Sequence, residues 1–510
     1  MNVNENRVTI ELLPLGEVAH AERGAALQDV LFAHGVEFPC GGRGRCRGCK
    51  IKVLDGALPI TEDDRLKLSP RELTQGWRLA CRARAGGHLR IELAQWEAPI
   101  LTDDSTFMFE PQTGLGVAVD VGTTTLVAQL VDLAGGRVLA VRAALNAQAR
   151  HGADIMSRVE FALADEGRRI LTALIRSQLG QMIQGLLDAA LHPDAPLKTV
   201  VLVGNTVMHH LFSGIDLAPL SHVPFEPESP GLQVFAPGEL GWSLPGEPVV
   251  RFLPCLGGFV GSDILAGVLA TRLHEAESLT ALIDLGTNGE ILLGNRTGML
   301  CASTAAGPAF EGARISMGMR AATGAIAGVR VEGGKLACHV LGDGVPRGVC
   351  GSGLVDAVAA ALDLGWLHSS GRLLGRTAVQ LCPPVTLTQR DVRELQLAKG
   401  AIAAGLRLLL EQWGASRDDL ARIHLAGAFG NYINYASARR IGLLHCPLET
   451  IQPAGNTALL GAKLALFSLS AHNGAYPDLA AKTRHVSLHE DARFQDAYVE
   501  EMAFPTFQPN

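Results

Sequence analysis

The chain has 510 residues, which at roughly 100–200 residues per domain leaves room for three or four folded units and excludes a single small module. Hydrophobic residues make up 47% and charged residues 19% of the chain, so it can bury large cores and is neither disordered nor a coiled coil. A net charge of -7 removes the electrostatic case for binding nucleic acid or an anionic membrane.

The sequence also bears on location. Its first residues lack an apolar signal core, and the most apolar later stretches are interrupted by Asp356, Asp363 or Lys463 before they could span a bilayer. We therefore expect a cytoplasmic protein without a membrane partner. In a reducing compartment the ten cysteines are expected to remain thiols, so a cluster of them is either a metal site or a set of buried small side chains.

The first hundred residues predict a small α+β unit over 1–97. Segment 7–20 indicates two short strands around a turn, 26–35 a helix, and 78–93 a strand hairpin. Residues 98–113 contain two prolines and little periodicity, which is typical of a linker.

Four cysteines of this unit form a distinctive pattern, Cys40, Cys46, Cys49 and Cys81. The first three follow C-x5-C-x2-C within PCGGRGRCRGCK, where glycines allow a backbone to wrap closely around an iron-sulfur cluster. Structural zinc is the alternative, but zinc sites usually show two short pairs, and Cys81 has no Cys or His partner nearby in the sequence. The pattern favours a 2Fe-2S cluster.

From residue 114 the chain contains an internal repeat. GVAVDVGTTT at 116–125 resembles ALIDLGTNGE at 281–290, and both indicate a strand, a Gly-Thr turn and a second strand. The repeat predicts a duplicated α/β unit over 114–510, with halves at about 114–280 and 281–470, a cleft between them, and a docked tail at about 471–510. The remaining predicted elements are helices at 167–190, 353–365, 391–412 and 491–502 and a strand at 485–489.

The two repeated turns are candidates for phosphate binding, because the chain has neither a P-loop nor a strand-linked G-x-G-x-x-G in the expected context. Asp120 and Asp284 would approach a hydrated Mg²⁺. The turn residues that would present N–H groups and hydroxyls are Gly122, Thr123, Thr124, Thr125, Gly286, Thr287, Asn288 and Gly289. A strand and glycine-rich helix start at 423–434 suits adenosine and its α-phosphate. Its candidate residues are Gly427, Ala428, Phe429 and Gly430. Ordinary hairpin turns in an α/β core are the alternative.

In order, these three motifs resemble the phosphate-1, phosphate-2 and adenosine motifs of the acetate and sugar kinase, heat-shock chaperone and actin superfamily. Further stretches narrow the resemblance: VLVGNTVMHHLFSGI, GGFVGSDILAG, CASTAAGPAFEGARISMGM, VCGSGLVDA and AGAFGNYIN. Together with the N-terminal cysteines, whose first spacing is similar to that of adrenodoxin-type ferredoxins, the chain resembles the reductive activators of corrinoid-dependent enzymes. This resemblance implies a β-grasp ferredoxin followed by an actin-like ATPase fold.

The resemblance also implies a function. In that family a 2Fe-2S domain passes an electron to the cob(II)alamin of a partner corrinoid protein, and an ATPase domain drives the exchange. It implies ATP, Mg²⁺, a corrinoid protein, an upstream electron donor and a homodimer. A family serine near the corrinoid would be Ser303, in the loop 301–311, although a turn hydroxyl bonded to its own backbone is an alternative. Asp263 would orient the attacking water or cap a helix. Because only about 16 residues separate the two units, we expect the family's small middle domain to be missing.

Two other functions stay open at this point. An activator of a radical dehydratase also joins such an ATPase to iron-sulfur chemistry, but it holds a 4Fe-4S cluster with cysteines of the ATPase domain. An actin-like scaffold with a redox-sensing ferredoxin would form ATP-dependent filaments and transfer no electron to cobalamin.

Overall fold

The structure is a computed structural model of the chain. It describes residues 7–13, 17–33, 49–93, 109–152, 154–189, 195–286, 288–312, 314–319, 321, 324–343, 345–468 and 476–506. Among these residues, no helix has both the length and the apolar character needed to cross a bilayer.

The N-terminal unit is a five-stranded sheet with three short helices. The strands are β1 (Arg7–Leu13), β2 (Glu17–Glu22), β3 (Lys50–Asp55), β4 (Trp77–Leu79) and β5 (Leu89–Leu93), and the helices are α1 (Leu27–Ala33), α2 (Glu62–Lys67) and α3 (Pro70–Thr74). The strand order is β2-β1-β5-β3-β4, with β1 and β5 parallel and the other pairs antiparallel. This is the expected ferredoxin-type fold.

One predicted element of this unit is wrong. The residues 78–93 do not form a hairpin, because β4 and β5 each pair with β3 and not with each other. The sequence between them contains a 3-10 turn at Ala80–Arg82, which carries the chain from one side of β3 to the other. The predicted strands around residues 7–20 and the helix after them are confirmed.

The first half of the duplicated unit is a six-stranded sheet. Its strands are β6 (Leu115–Val121), β7 (Thr125–Asp132), β8 (Val138–Leu145), β9 (Leu197–Val203), β10 (Gln233–Phe235) and β11 (Val249–Phe252), and its helices are α4 (Ile155–Ala162), α5 (Asp165–Ala189), α6 (Thr206–Ser213) and α7 (Ser262–Thr271). The order is β10-β11-β9-β6-β7-β8, in which β6, β9 and β11 are parallel and β6, β7 and β8 form an antiparallel meander.

The second half repeats this arrangement with insertions. Its strands are β12 (Thr280–Leu285), β13 (Gly289–Asn295), β14 (Gly298–Thr304), β15 (Ala325–Glu332), β16 (Lys335–Val340), β17 (Gly348–Val349), β18 (Ala378–Cys382), β19 (Val385–Thr388), β20 (Arg422–Ala426), β21 (Ile451–Gly455) and β22 (Thr483–His485). Its helices are α8 (Gly351–Asp363), α9 (Gln389–Trp413), α10 (Gly427–Tyr432), α11 (Tyr435–Arg440), α12 (Thr457–Ser468), α13 (Tyr476–Ala481) and α14 (Arg493–Met502).

The two large sheets confirm the internal repeat. The second sheet has the order β21-β20-β12-β13-β14-β22, so its run β14-β13-β12-β20-β21 corresponds to β8-β7-β6-β9-β11 in the first. In each sheet an antiparallel meander is followed by parallel strands. Because β6 and β12 occupy the same place, the strand ends that carry Asp120 and Asp284 are equivalent.

Helices α7 and α12 lie between the two sheets and join the halves. They approach so closely that a side chain at Gly461 would collide with the backbone of Ala266. Side chains from both sheets, among them Ala118 and Leu282, share one buried cluster with these helices. The two sheets and the two helices therefore share one packed core at the base of the cleft.

The N-terminal unit contacts both halves. Its apolar core continues into Val141 of β8, which is fully buried, and it also contacts Tyr432 of α10. A cavity of about 180 Å³ separates Cys81 from His339 and Val340 at the hairpin of β15 and β16. The ferredoxin unit thus lies across the cleft, against elements of each half.

The C-terminal helix α14 packs against α9, as the docked tail predicts. Lys399, which is fully buried, donates from Nζ to the carbonyl oxygen of Ala503 at 2.6 Å. Glu501 is paired with Arg417 at 2.5 Å and with His445 at 3.3 Å. Burial opposes ionisation of Glu501, but these partners outweigh it and lower its pKa to about 2.

Candidate active site

Two of the four predicted cluster cysteines lie in the described residues, and they are adjacent. Cys49 immediately precedes β3, and Cys81 lies in the 3-10 turn after β4. Their sulfur atoms are 3.3 Å apart, and the Ala80 N–H donates to the carbonyl oxygen of Cys49 at 2.9 Å. Two thiols at this distance fit neighbouring thiolate ligands of one iron-sulfur cluster. Cys40 and Cys46 lie outside the described residues.

The first phosphate turn joins β6 to β7 and is held by side chains of three other elements. Asn146 donates to the carbonyl oxygen of Gly122 at 2.9 Å. Arg158, which is fully buried, donates to the carbonyl oxygen of Thr123 at 2.5 Å. Asn205 donates to the hydroxyl of Thr123 at 2.9 Å. These bonds fix the backbone that precedes Thr124 and Thr125, so the turn is held in place before any ligand arrives.

The second phosphate turn joins β12 to β13 and contacts the adenosine segment. Gly286, Asn288 and Gly289 are described, and Thr287 lies outside the described residues. Gly427 has a φ of 81°, and a Cβ at that position would lie 2.5 Å from Oδ1 of Asp284. Only glycine leaves room for this approach. The structure therefore brings the second turn and the adenosine segment together.

The adenosine segment is the start of α10, and part of it serves packing. Phe429 is 8% exposed and stacks on Phe310, with ring centroids 4.6 Å apart. Gly430 lies against the backbone of Leu425. Gly427 and the backbone of Ala428 remain at the β20 end of the cleft. The aromatic stack joins the segment that follows Ser303 to the predicted adenosine site.

Four carboxylates from both halves meet in the cleft: Asp120, Asp263, Asp284 and Glu290. Burial raises the pKa of Asp120 to about 6, although Asn456 donates to its Oδ2 at 3.0 Å and lowers it. Burial and the charge of Asp120 raise the pKa of Asp284 to about 7. Burial and the charge of Asp284 raise the pKa of Asp263 to about 7. In each case burial is the largest cause, and facing carboxylates add to it for Asp263 and Asp284.

Glu290 completes this group. It is 7% exposed, and burial and the charges of Asp263 and Asp284 raise its pKa well above the ordinary range. Within the described ranges, no three Asp, Glu, His or Cys side chains converge closely enough to hold a metal ion directly. The arrangement fits a cation that keeps a shell of water, as Mg²⁺ usually does.

Asp263 is not a helix cap. The N-cap of α7 is Gly261, and Asp263 lies in the first helical turn, where its Oδ1 accepts from the N–H of Ile264 at 2.9 Å. The hydroxyl of Ser262 bridges to Gly204 beside the first phosphate turn. The capping alternative is therefore wrong, and Asp263 faces the carboxylates of both turns.

Ser303 lies in a strand and not in the predicted loop. Residues 301–304 form the end of β14, and the following segment turns through Pro308–Glu311. The prediction of a loop beginning at Cys301 is wrong because this stretch pairs along β13. In that pairing Ser303 stands directly opposite Glu290, so both side chains lie on the same face of the sheet.

Several residues of the site were not predicted from the sequence: Glu290, Asn146, Arg158, Asn205 and Asn456. For Glu290 a signal was present, since it is one charged residue in the otherwise apolar strand GEILLG directly after a phosphate turn. The three asparagines and Arg158 come from distant segments, and no local pattern marks them.

Three family models match successive parts of the chain. A family model described as the C-terminal domain of RACo, the ASKHA domain, matches residues 278–510, and one described as the RACo middle region matches residues 115–276. A model of the 2Fe-2S iron-sulfur cluster binding domain matches residues 10–86. The middle-region model matches the first half of the duplicated unit, so the expectation that a separate small domain between the ferredoxin unit and the ATPase unit is missing stays a prediction.

Individual relatives agree with these matches. The chain is 36% identical over 422 residues to the corrinoid activation enzyme RamQ of Eubacterium limosum, covering 75% of this chain and 69% of that relative. It is 26% identical over 427 residues to the Co(II) methylated amine-specific corrinoid protein reductase of Methanosarcina barkeri, covering 77% of each.

A solved structure extends the likeness to the whole chain. The structure of a reductive activator for corrinoid,iron-sulfur protein superposes with a TM-score of 0.67 at 26% identity and covers 98% of both chains. With the family models and RamQ, this likeness spans the ferredoxin unit and both halves of the ATPase unit. The chain therefore belongs to the RACo family of reductive activators of corrinoid proteins.

Proposed function

We propose that this chain reactivates a corrinoid protein by passing one electron to its cob(II)alamin, which regenerates cob(I)alamin for methyl transfer, and that ATP drives the exchange. One observation carries the proposal: a single chain joins two thiols 3.3 Å apart in a ferredoxin-type unit to two facing carboxylate turns in a duplicated unit. Membership of the RACo family supports the same function.

The electron carrier would be held by Cys40, Cys46, Cys49 and Cys81. When bound, a 2Fe-2S cluster of this kind supplies one electron at a reduction potential of about -400 mV. The protein's own part is to hold the thiols together, and the bond from Ala80 to Cys49 does so on the two segments that are described. An upstream electron donor would reduce this unit between turnovers.

The nucleotide would lie between the two turns. Backbone N–H groups of 122–125 and 286–289 would hold its phosphates, and the segment 427–430 would border adenosine. Asp120 and Asp284, whose pKa values are raised chiefly by burial, would face a hydrated Mg²⁺ that favours their charged forms. Asp263, which faces both carboxylates, would orient the attacking water.

ATP would act by stabilising one arrangement of the complex. Each 100 mV of uphill transfer costs about 2.3 kcal/mol for one electron, so the nucleotide must favour a state in which cobalt is easier to reduce. Ser303 is the residue that we propose to contact cobalt. The stack of Phe310 on Phe429 supports this, because it links the segment after Ser303 to the adenosine segment. We also propose that two copies of the chain form a homodimer.

The direct test uses anaerobic protein reduced with dithionite and then freed of reductant by desalting. It is mixed with the methylated amine-specific corrinoid protein of Methanosarcina barkeri in the cob(II) state, with and without Mg-ATP, while the cobalt spectrum is followed. We expect cob(I) only when Mg-ATP is present. Asp284→Asn should keep the cluster spectrum and lose the ATP effect. If reduced protein and Mg-ATP leave cob(II) unchanged in this partner and in free cobalamin, the proposal is wrong.

A further inference from the structure

Three polar side chains form a row across the second large sheet. Asp284 on β12 is paired with Glu290 on β13, and Glu290 is paired with Ser303 on β14. Directly paired residues project from the same face, and neighbouring strands are about 4.8 Å apart. Glu290 therefore lies between Asp284 and Ser303, which are separated by roughly 10 Å across two strand spacings.

The row is rigid at the backbone and confined around its middle member. The hydroxyl of Thr304, next to Ser303, donates to the carbonyl oxygen of Gly289 at 3.0 Å, which ties the end of β14 to the start of β13. A side chain at Gly289 would meet both Thr304 and Ile402, so the two strands and α9 are closely packed there. Motion along the row must therefore come from side chains, and Glu290 is the longest of the three.

The position of Glu290 is sensitive to what occupies the cleft. Asp263 and Asp284 face its carboxylate and repel it, whereas a hydrated Mg²⁺ beside Asp284 would attract it. The Asn288 side chain hydrogen-bonds to this carboxylate, and on β14 the residue paired with Glu290 is Ser303. A carboxylate drawn toward Asp284 would move away from Ser303, and one displaced from Asp284 would move toward Ser303.

We infer that Glu290 is a positioning residue that transmits occupancy of the nucleotide site to Ser303. The inference rests on the proposed function, since it requires a nucleotide at Asp284 and a role for Ser303. It differs from a direct catalytic role because Glu290 is buried in the middle of the row and acts through its two neighbours.

The test needs no corrinoid partner. In Ser303→Cys protein, the alkylation rate of position 303 by iodoacetamide is measured by peptide mass spectrometry, with and without a saturating non-hydrolysable Mg-ATP analogue. We expect the analogue to change this rate by at least about fivefold, the lower end of ordinary coupling between two sites. Adding Glu290→Gln, which keeps the shape and removes the charge, should abolish the change while the protein still binds the analogue.

Matched variants keep the result interpretable. Glu501→Gln also removes a buried glutamate, but one on the C-terminal helix, and should leave the nucleotide effect intact. Glu290→Asp retains the charge and should restore part of the effect even if Glu290→Gln folds poorly. The inference is overturned if the alkylation rate at position 303 does not change when the analogue is added. It is also overturned if the rate still changes with the analogue in the Glu290→Gln variant. Failure of electron transfer with a normal nucleotide response would instead count against the proposed function.

Discussion

Replacing Gly427 by alanine tests whether the adenosine segment and the second phosphate turn form one site. The residue has a φ of 81°, and a methyl group there would lie 2.5 Å from Oδ1 of Asp284 and 3.2 Å from the carbonyl oxygen of Leu285. Because the first of these distances is too short for any real contact, the carboxylate must move. The substitution thus acts on a proposed catalytic residue without changing it.

The structure separates two effects of this substitution. A left-handed backbone costs a non-glycine residue roughly 1–2 kcal/mol, and this cost applies wherever φ is positive. Gly414, at the C-terminal end of α9, has a φ of 79°, and a methyl group there would have no atom within 4 Å, so Gly414→Ala incurs the backbone cost alone. Gly427→Ala incurs the same cost and displaces Asp284, and a displacement of about 1 Å at a reacting centre can lower a rate about 100-fold.

The assay compares both variants with the parent chain by thermal unfolding and by steady-state Mg-ATP hydrolysis. We expect similar losses of stability in the two variants and a fall in kcat of about 10- to 100-fold in Gly427→Ala only. Equal hydrolysis by the two variants would refute the proximity of Gly427 to a catalytic Asp284. A loss of hydrolysis in Gly414→Ala would show that backbone strain, and not the carboxylate, governs the rate.

Two further predictions concern contacts at the cleft. Asn456→Asp replaces the donor to Asp120 by a second carboxylate, so the pKa of Asp120, already about 6, should rise further. The acid limb of the pH profile of ATP hydrolysis should therefore move to higher pH. Asn456→Ser is the control without added charge, and an unmoved acid limb in Asn456→Asp contradicts the assignment. Val141→Asp buries a charge beneath the ferredoxin unit, so this unit should detach, the radius of gyration from small-angle scattering should increase and ATP hydrolysis should persist. Val234→Asp, at a position 55% exposed, is the control and should change neither the radius nor the hydrolysis. An unchanged radius in Val141→Asp would refute the contact between Val141 and the ferredoxin unit.

The features that sequence predicted well are those encoded locally. A strand, a Gly-Thr turn and a second strand are specified within ten residues, so both copies of the motif, and with them the duplicated fold, could be predicted. The long helices α5, α8 and α9 were also predicted within about two residues at each end, because each carries its own periodicity.

The features that sequence missed depend on pairing between distant segments. The supposed hairpin at 78–93 fails because β3, more than twenty residues earlier, inserts between β4 and β5. Ser303 was placed in a loop because CASTAAGP is rich in small residues, yet pairing with β13 extends β14 through Thr304. Register of this kind is set by the whole sheet, and a single segment does not contain it.

The same distinction explains the electrostatics of the cleft. Each carboxylate by itself is an ordinary acid at a strand or helix end, and only the facing of the two halves brings Asp120, Asp263, Asp284 and Glu290 together. A Mg-nucleotide at the proposed site would bring a cation to these charges, and it would favour one arrangement of the two halves only by the difference in its affinity for the two arrangements. The ferredoxin unit contacts Val141 in one half and Tyr432 in the other. Any movement of the two halves relative to each other would therefore also change the contacts of the ferredoxin unit. The charge cluster that would bind the nucleotide is therefore mechanically connected to the domain that carries the electron.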